Sequence, residues 1–560
     1  MRRIVAALIL TAAVAGGGAH AATPAVAVQA EHGMVVTSQH MASAVGAGIL
    51  TAGGNAIDAA VAVGYALAVV EPCCGNIGGG GFMTIRLADG RHTFINFRET
   101  APAAATAAMY LDAAGAPVPD RSRYGYLAAG VPGTVMGLDR ALREYGTMPR
   151  AALMAPAISL ARTGFVLSRD DSETLDAKAD QFGKDPAAAK IFLRPDGSRY
   201  QAGDRLVQKD LAATLAAIAR NGPDAFYKGA VAAAVEKASR ANGGILTARD
   251  LAGYTATETA PLSCAYRGYM LISAPPPSSG GATICEILNI LEGYDLKALG
   301  AGSPRAVEIM VAAMARGYAD RNTFLGDPAF VDNPLDRLLS KGYAAGIRAA
   351  IDAGGTPRPS TPVASHEKAE TTSYSVVDRA GNAVAVTYTI NGYFGAGIVP
   401  PGTGFFLNNE MDDFTAKPGV PNLYGLVQGA ADMIAPGKRP LSSMAPSLVE
   451  KDGRVVLVLG SPGGSRIPTT VLETIMNIID FGMSAADAVA APRLHYQDQP
   501  GSVFYEHGGL SPGTIAALEA RGYTVVPRKP WGAVELIAID KSRLYGVNDN
   551  RRPGGAAVGN

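Results

Sequence analysis

The sequence predicts an α+β fold with a large buried core. Residues 22–370 are rich in alanine and mostly helical in pattern, whereas the pattern becomes β immediately after residue 370. Hydrophobic residues make up 48% of the 560-residue chain and charged residues only 18%, which favours a folded protein over a disordered one. The length alone allows three or four domains or one large unit.

The first part of the chain predicts two helices and then a glycine-rich turn. Residues 41–52 have a helical pattern, and Asn55 is suited to cap a second helix that ends near Val70. Five glycines at positions 75–81 then precede a strand at 82–86. A phosphate-binding loop is the alternative for these glycines. However, the segment lacks the Lys-Ser/Thr ending of a P-loop and leads into a strand, so we expect a backbone turn.

The later part of the chain changes character twice. Residues 354–370 contain glycines, three prolines and several hydroxyl residues, which indicates an exposed segment where cleavage of the chain is tolerated. Alternating β patterns follow, and a glycine pair precedes a helical pattern. The predicted elements are strands at 372–377, 383–390 and 455–459 and a helix at 467–481.

The N-terminus has the features of an export signal. Arg2 and Arg3 precede an apolar stretch at residues 4–14, and Ala19-His20-Ala21 fits a cleavage site. We therefore expect residues 1–21 to be removed, with Ala22 as the mature start and a periplasmic or secreted location. A membrane anchor is the alternative, but the stretch is short for a span, so no stable membrane insertion is expected.

Charge and cysteine content exclude several functions. The 49 basic and 49 acidic residues balance, and no basic run indicates nucleic-acid binding. Cys73, Cys74, Cys264 and Cys285 allow three disulfide pairings, among which the sequence does not choose. Their spacing does not fit a zinc site, so neither a structural metal nor a cofactor is expected.

Thr371 is the candidate nucleophile. If the chain is cut before it, its own α-amine can take the hydroxyl proton, because a terminal amine has a pKa of about 7.7–8.0. Such a site needs no separate histidine. The alternative is an ordinary strand threonine, and only the surrounding motifs argue against it.

Several long motifs resemble the γ-glutamyltransferase (γ-glutamyl transpeptidase) family, and the resemblance covers essentially the whole mature chain. They are the glycine loop at 71–83 and the segments 97–102, 371–391, 408–414, 439–444 and 460–466. The resemblance implies a four-layer αββα sandwich, the N-terminal nucleophile hydrolase fold. It also implies self-cleavage between Glu370 and Thr371, which gives a large subunit of residues 22–370 and a small one of residues 371–560 that fold as one intertwined unit.

The resemblance assigns a role to each site residue. Thr371 attacks the γ-carbonyl of glutathione or a related amide, Thr389 supports it, and Gly463 and Gly464 form the oxyanion hole. Water or the amine of an amino acid or peptide then takes the glutamyl group. The residues implied for substrate binding are Arg98, Ser442 and Ser443 for the α-carboxylate, Asn391, Glu410 and Asp413 for the α-ammonium, and Tyr424 in a lid at 418–427.

One of these positions departs from part of the family. Glu410 stands where some bacterial members have glutamine, and its charge should hold the ammonium more strongly and can alter the balance of hydrolysis and transfer. For Arg98 and Asp413 a surface ion pair is the alternative. For the glycine pair it is a plain turn before a helix.

Three other functions compete with this interpretation. The nearest is a β-lactam side-chain acylase (glutaryl or cephalosporin type) on the same scaffold, which would not need the ammonium-binding residues or the lid. A polyglutamate-handling transpeptidase is a second. A peptide-binding protein that does not cleave itself is a third, and failure of cleavage would favour it.

Overall fold

The computed structural model of the protein describes residues 25–118, 120–354 and 371–560. The expected signal peptide, Glu370 and most of the exposed segment before Thr371 lie outside the described residues. Within them, the chain forms two seven-stranded antiparallel sheets that face each other and carry helices on their outer sides. The layer order is therefore αββα, which confirms the expected sandwich.

The first sheet combines strands from distant parts of the chain. In spatial order its strands are Ala556–Gly559, Met34–Thr37, Thr372–Val377, Ala383–Thr389, Gly80–Arg86, His92–Asn96 and Thr257–Thr259. The hairpin that follows Thr371 lies in the middle of this sheet, and its register pairs Thr372 with Tyr388. The strands predicted at 372–377 and 383–390 are thus confirmed, the second ending one residue early.

The second sheet packs against the inner face of the first. Its strands, in spatial order, are Ala27–Ala30, Arg543–Asn548, Glu535–Asp540, Arg454–Leu459, Ser447–Lys451, Tyr269–Ser273 and Leu262–Tyr266. Between the sheets lies a dry layer of small and branched side chains that includes Val36, Val377, Ala385 and Leu448. Smaller sheets join Leu494–His495, Ser502–Glu506 and Thr524–Arg528, and Phe165–Val166 with Arg205–Leu206.

Helices cover the outer face of each sheet. Those on the first-sheet side are His40–Thr51, Ala56–Val70, Thr134–Tyr145, Arg150–Thr163, Arg169–Asp176, Ala179–Phe182, Pro186–Phe192, Lys209–Asn221, Asp224–Tyr227, Ala230–Ala241 and Ala248–Gly253. Those on the second-sheet side are Gly280–Leu291, Leu296–Leu299, Pro304–Phe324, Leu335–Leu338, Lys341–Asp352, Ile467–Ile479, Ala485–Ala490 and Pro512–Ala520. In the described part of the chain, no helix has the length and apolarity that a membrane crossing requires.

The fully buried helix Ala56–Val70 shows how local sequence sets an element. The side chain of Asn55 accepts a hydrogen bond from the backbone N–H of Asp58, and the side chain of Asp58 accepts the backbone N–H of Asn55, so both bonds of a capping box are present. Every residue of this helix is buried, as its apolar composition predicts. It packs directly on the hairpin of the first sheet.

The glycine-rich turn lets site segments approach each other closely. A Cβ atom on Gly78 would lie 1.9 Å from the carbonyl oxygen of Phe406, and one on Gly79 would lie 1.9 Å from that of Thr389. Only glycine fits at either position. The turn therefore serves packing around Thr389, as the backbone-turn interpretation predicts.

The cysteines form two disulfides. Cys73 pairs with its neighbour Cys74, and Cys264 pairs with Cys285. The backbone carbonyls of the first pair accept hydrogen bonds from Phe394 and Ile390, so this turn supports the end of the central hairpin.

Candidate active site

Thr371 lies at the start of the central hairpin and is almost completely buried. Its Oγ1 donates to Oγ1 of Thr389 at 3.4 Å, and that oxygen also accepts the backbone N–H of Asn391 at 2.9 Å. The antiparallel register explains the meeting, because Thr372 pairs with Tyr388 and the two threonines are the next opposite positions. The structure thus brings the predicted nucleophile and the predicted supporting hydroxyl together.

The backbone of Thr371 is anchored by residues that the sequence analysis missed. Arg552 donates to the carbonyl oxygen of Thr371 at 2.9 Å and pairs with Glu71 at 3.0 Å. The other oxygen of Glu71 accepts the hydroxyls of Thr372 and Ser38, each at 2.6 Å. These contacts hold the main chain while the Thr371 hydroxyl faces the other way, toward Thr389.

A small cavity of about 20 Å³ collects most of the predicted site. Its lining residues include nine of the eleven predicted catalytic and binding residues, namely Arg98, Thr371, Thr389, Asn391, Asp413, Tyr424, Ser442, Ser443 and Gly464. The other two, Glu410 and Gly463, are neighbours of lining residues rather than lining residues themselves. A larger cavity of about 670 Å³ is lined by Glu71 and Arg552 but not by Thr371. The small one is the candidate active site because it contains the nucleophile.

Arg98 is the cation at the bottom of this cavity, and it is 1% exposed. Its Nη1 lies 2.6 Å from Oε2 of Glu410, and its Nη2 lies 2.5 Å from Oδ2 of Asp413. Glu99 is a third carboxylate nearby, at 3.8 Å. The alternative of a surface ion pair is therefore wrong. Without a ligand, the residues expected to hold the carboxylate and the ammonium of a substrate are paired with each other.

The carboxylates around Arg98 are strongly perturbed by burial. Burial raises the pKa of Glu410 well above its ordinary value; Arg98 opposes the shift, while Glu99 and Asp413 add to it. Burial likewise raises the pKa of Glu99 to about 8, against the influence of Arg98. Arg98 is the cation in contact with these carboxylates, and the raised pKa values of Glu99 and Glu410 show that a further cation or a bound proton is favoured beside them.

The two serines are oriented to donate hydrogen bonds into the cavity. Oγ of Ser442 accepts the backbone N–H of Met444 at 3.0 Å, and Oγ of Ser443 accepts Nη2 of Arg321 at 3.4 Å. Since each oxygen already accepts, its hydroxyl hydrogen is available to a ligand. The segment is held by the turn before the helix Gly280–Leu291, where Ser442 donates its backbone N–H to Pro277 at 2.8 Å. Paired hydroxyl donors suit a carboxylate.

Asn391 has an unusual backbone that aims its side chain. Its φ of 71° lies in the left-handed region, which asparagine tolerates better than most residues. Its side-chain amide donates to the carbonyl oxygen of Asn409 at 3.0 Å, which leaves the amide oxygen as an acceptor. An acceptor at this place suits an ammonium group.

Gly463 and Gly464 form the turn between the strand Arg454–Leu459 and the helix Ile467–Ile479. Their φ angles of 142° and 55° are both positive, which favours glycine. A Cβ atom on Gly464 would also lie 2.4 Å from the ring of Tyr424, so this position has no room for a side chain. Backbone amides at such a turn before a helix are suited to negative charge.

The segment 418–427 closes over the cavity through Tyr424. The phenol donates to the carbonyl oxygen of Asn391 at 3.1 Å, and the ring packs on Gly464. Gln497 fixes the segment from behind, because its amide donates to the carbonyl oxygen of Tyr424 at 3.2 Å and accepts the hydroxyl of Ser465 at 2.6 Å. Gln497 therefore links the segment 418–427 to Ser465, the residue after the glycine pair.

Sequence reasoning missed Arg321 and Gln497. Arg321 lies in the long helix Pro304–Phe324 and lines the cavity beside Arg98. Nothing in a helical pattern distinguishes an arginine that turns inward from one on the surface. Gln497 lies in a short loop far from Tyr424 in sequence, and only the fold brings them together.

Comparisons with known proteins agree with this geometry. The family model described as Gamma-glutamyltranspeptidase matches residues 42–559. A glutathione hydrolase proenzyme of Pseudomonas sp. (strain A14) is 54% identical over 96% of each chain. The acylase ACY 1 proenzyme of Pseudomonas sp. (strain SE83) is 44% identical, covering 90% of this chain and 89% of its own. The crystal structure of cephalosporin acylase from Bacillus halodurans superposes with a TM-score of 0.85 at 27% identity, over 98% of this chain and 99% of its own.

Proposed function

The chain belongs to the gamma-glutamyltranspeptidase family, and we propose that its γ-glutamyl transfer and glutathione hydrolysis start from the hydroxyl of Thr371. The observation that carries this proposal is the buried hydroxyl pair of Thr371 and Thr389, 3.4 Å apart, in a closed cavity with donors for a carboxylate and acceptors for an ammonium. An α-amino acid group with an activated side-chain carbonyl has the chemistry that this cavity recognises.

The first reaction is cleavage of the precursor. The Thr371 hydroxyl attacks the carbonyl carbon of Glu370, the peptide nitrogen leaves as the α-amine of Thr371, and an ester forms. Water then hydrolyses the ester, which frees the Thr371 hydroxyl and leaves Glu370 with a C-terminal carboxylate. The products are a large subunit of residues 22–370 and a small subunit of residues 371–560.

The second reaction is transfer of the glutamyl group. The α-amine of Thr371 takes the hydroxyl proton while the oxygen attacks the γ-carbonyl, and the developing oxyanion is held by the amides of Gly463 and Gly464. The amine of the leaving dipeptide takes a proton as the C–N bond breaks, which leaves a glutamyl ester on Thr371. Water, or the amine of an amino acid or peptide, resolves the ester and regenerates the hydroxyl.

Substrate binding requires the paired charges in the pocket to separate. Ser442, Ser443 and Arg98 serve the α-carboxylate, and Glu410, Asp413 and the amide oxygen of Asn391 serve the α-ammonium. An incoming ammonium supplies the cation that the carboxylate-rich pocket lacks. Tyr424 closes the pocket and limits the access of water.

Cleavage is tested by intact mass and N-terminal sequencing of purified protein after incubation near pH 7.5. We expect fragments that begin at Ala22 and at Thr371, the first from removal of the export signal. Thr371→Ala should stay a single chain, whereas Thr371→Ser should still cleave because it retains a hydroxyl. Cleavage of Thr371→Ala at the same bond would refute the assignment. Recovery of the Ala22 fragment from the periplasm or medium would test export.

The acylase alternative can be tested by comparing two substrates, and the test is needed because acylase relatives are also similar to this chain. A glutaryl anilide has the carbon chain of a γ-glutamyl anilide without the α-amine. Because Glu410 and Asp413 provide for an ammonium, we expect the glutamyl substrate to have the higher kcat/KM by about 100-fold, the scale of a charge-assisted hydrogen bond. Preference for the glutaryl substrate would establish the acylase instead.

A further inference from the structure

Two guanidinium groups line the candidate active site, and they differ in their surroundings. Arg98 lies against the carboxylates of Glu410 and Asp413. Arg321, also 1% exposed, is hydrogen-bonded to neutral acceptors. These are Oγ of Ser279 at 3.1 Å, Oδ1 of Asn322 at 3.0 Å, Oε1 of Gln428, and Oγ of Ser443 at 3.4 Å. Among the described residues, no carboxylate oxygen lies within 4.0 Å of Arg321.

A buried guanidinium with only neutral partners retains positive charge that an anionic ligand can use. Arginine stays protonated even when burial lowers its pKa, as it does here, where Asp432, Tyr318 and Asp413 favour the charged form. The charge of Arg98, by contrast, is already opposed by two carboxylates in contact. Arg321 therefore offers positive charge to an anionic ligand on the side of the cavity where it contacts Ser443.

Arg321 also decides which way Ser443 donates. Its Nη2 gives a hydrogen bond to Oγ of Ser443, so that oxygen acts as an acceptor on the helix side. The hydroxyl hydrogen must then point elsewhere, and the cavity is the side that both residues line. Without the guanidinium, the Ser443 hydroxyl could rotate and donate to a protein acceptor instead.

We propose that Arg321 is a specificity-determining positioning residue that directs Ser443 and supplies the positive potential for the α-carboxylate of the substrate. The proposal rests on the glutamyl function proposed above. Arg98 contributes to the same α-carboxylate, but part of its charge is already opposed by Glu410 and Asp413. The α-carboxylate is then served by two arginines that line the same cavity.

The test uses three anilides that differ by one charged group each. The γ-glutamyl anilide carries the carboxylate and the ammonium, the glutaryl anilide lacks the ammonium, and the 4-aminobutanoyl anilide lacks the carboxylate. The readout is kcat/KM, or the inhibition constant against the glutamyl anilide where turnover is slow. Wild-type protein that does not hydrolyse the glutamyl anilide would refute the proposed function itself, before any variant is compared.

Arg321→Met should lower kcat/KM for the glutamyl and glutaryl substrates by about 10- to 100-fold, the scale of a hydrogen bond to a charged group. It should leave the 4-aminobutanoyl substrate within about twofold, because that substrate has no carboxylate. Arg316→Met, on the same helix with its partner Asp320, is the matched control and should change none of the three. An equal loss on all three substrates would show a merely structural role and overturn the proposal.

Two further variants keep the proposal testable if Arg321→Met does not fold. Arg321→Lys retains the positive charge but not the planar guanidinium. Its kcat/KM should therefore fall less than that of Arg321→Met on the two substrates with a carboxylate, and should not fall on the 4-aminobutanoyl substrate. Ser443→Ala should weaken binding of the same two substrates, and its effect should not add to that of the Arg321 change. Additive effects, or a uniform loss with Arg321→Lys, would contradict action through Ser443.

Discussion

Two buried ionic clusters of this protein use the same residue types with different balances of charge. The pocket cluster consists of Arg98, Glu99, Glu410 and Asp413. The C-terminal cluster consists of Arg493, Arg551, Glu506 and Asp549. The first has three carboxylates for one arginine, whereas the second has two for two.

The carboxylates of the two clusters also differ in the hydrogen bonds that they accept. In the C-terminal cluster, Glu506 accepts the backbone N–H of Trp531 at 3.0 Å and Nε of Arg551 at 2.8 Å, and Asp549 accepts the backbone N–H of Val534 at 3.0 Å. In the pocket cluster, Glu410 lies close to Arg98, but among the described residues neither of its oxygens has a hydrogen bond of good geometry. Among the described residues, the carboxylates of Glu99 and Glu410 therefore lack hydrogen bonds, whereas those of Glu506 and Asp549 do not.

The pKa values follow from this difference. Burial disfavours the charge of Asp549, but Arg493 and Arg551 outweigh burial and lower its pKa. Burial also disfavours the charge of Glu410, and there Arg98 is outweighed, so the pKa rises. Although both clusters are buried, the C-terminal cluster therefore forms a stable ion pair, whereas the pocket cluster favours an additional cation. In the function proposed above, the ammonium of the substrate is the cation that would complete the pocket cluster.

The largest expected effect comes from breaking the satisfied cluster. Arg551→Met leaves the ionised carboxylates of Glu506 and Asp549 buried with half their positive charge, which should cost about 3–5 kcal/mol in the free energy of unfolding. Arg521→Met is the control, because Arg521 is exposed and its partner Glu308 keeps a second partner in Arg305, so the loss should be less than about 1 kcal/mol. Denaturant unfolding of the two variants measures the difference. Similar losses would show that the C-terminal cluster is not a structural ion pair.

A second change should affect activity more than stability. Arg98→Met removes the only cation of the pocket cluster, but Glu99 and Glu410 already have raised pKa values and can bind protons instead. We expect a loss of stability of about 1–2 kcal/mol, smaller than for Arg551→Met, together with a fall of about 100-fold in kcat/KM for a γ-glutamyl anilide. Thermal unfolding and kinetics on cleaved protein check both parts. A stability loss as large as that of Arg551→Met would remove the distinction between the clusters.

The sequence predicts contacts between residues that are close in the chain better than contacts between distant segments. The central hairpin was predicted because 372–377 and 383–390 alternate around a short turn, and that local pattern places Thr371 opposite Thr389. The helix 56–70 was predicted from its cap at Asn55. Helix ends were less accurate, since the pattern predicts a helix over 467–481 and the structure ends it at Ile479.

Contacts between distant segments could not be derived in the same way. Met34–Thr37 pairs with Ala556–Gly559, and no local pattern indicates that partner. The motifs predict substrate-binding roles for Arg98, Glu410 and Asp413, but they do not predict that these residues pair with each other. The inward turn of Arg321 depends on how its helix packs, and packing is a property of the fold.

The smallest expected effect is a change in pH dependence caused by Glu410→Gln. A carboxyl group with a raised folded pKa binds more protons in the folded than in the unfolded protein, so stability falls as pH rises through this window. For Glu99 the window runs from its ordinary 4.5 to about 8. Glu410→Gln removes one such group and relieves repulsion of Glu99, so its Tm should decrease less than that of the wild type between about pH 5 and pH 8.

Asp549→Asn provides the matched comparison in the other cluster. Since the folded pKa of Asp549 is lowered, its contribution is complete above the ordinary value of 3.8 and is lost only as pH falls below it. Asp549→Asn should therefore lower Tm by the same amount at pH 5 and at pH 8. In contrast, the difference in the free energy of unfolding between Glu410→Gln and wild type should grow by about 1 kcal/mol from pH 5 to pH 8. Parallel Tm profiles for Glu410→Gln and wild type would mean that Glu410 is already ionised at pH 5. The pocket cluster would then be a balanced ion pair like the C-terminal one, and the need for a substrate cation would disappear.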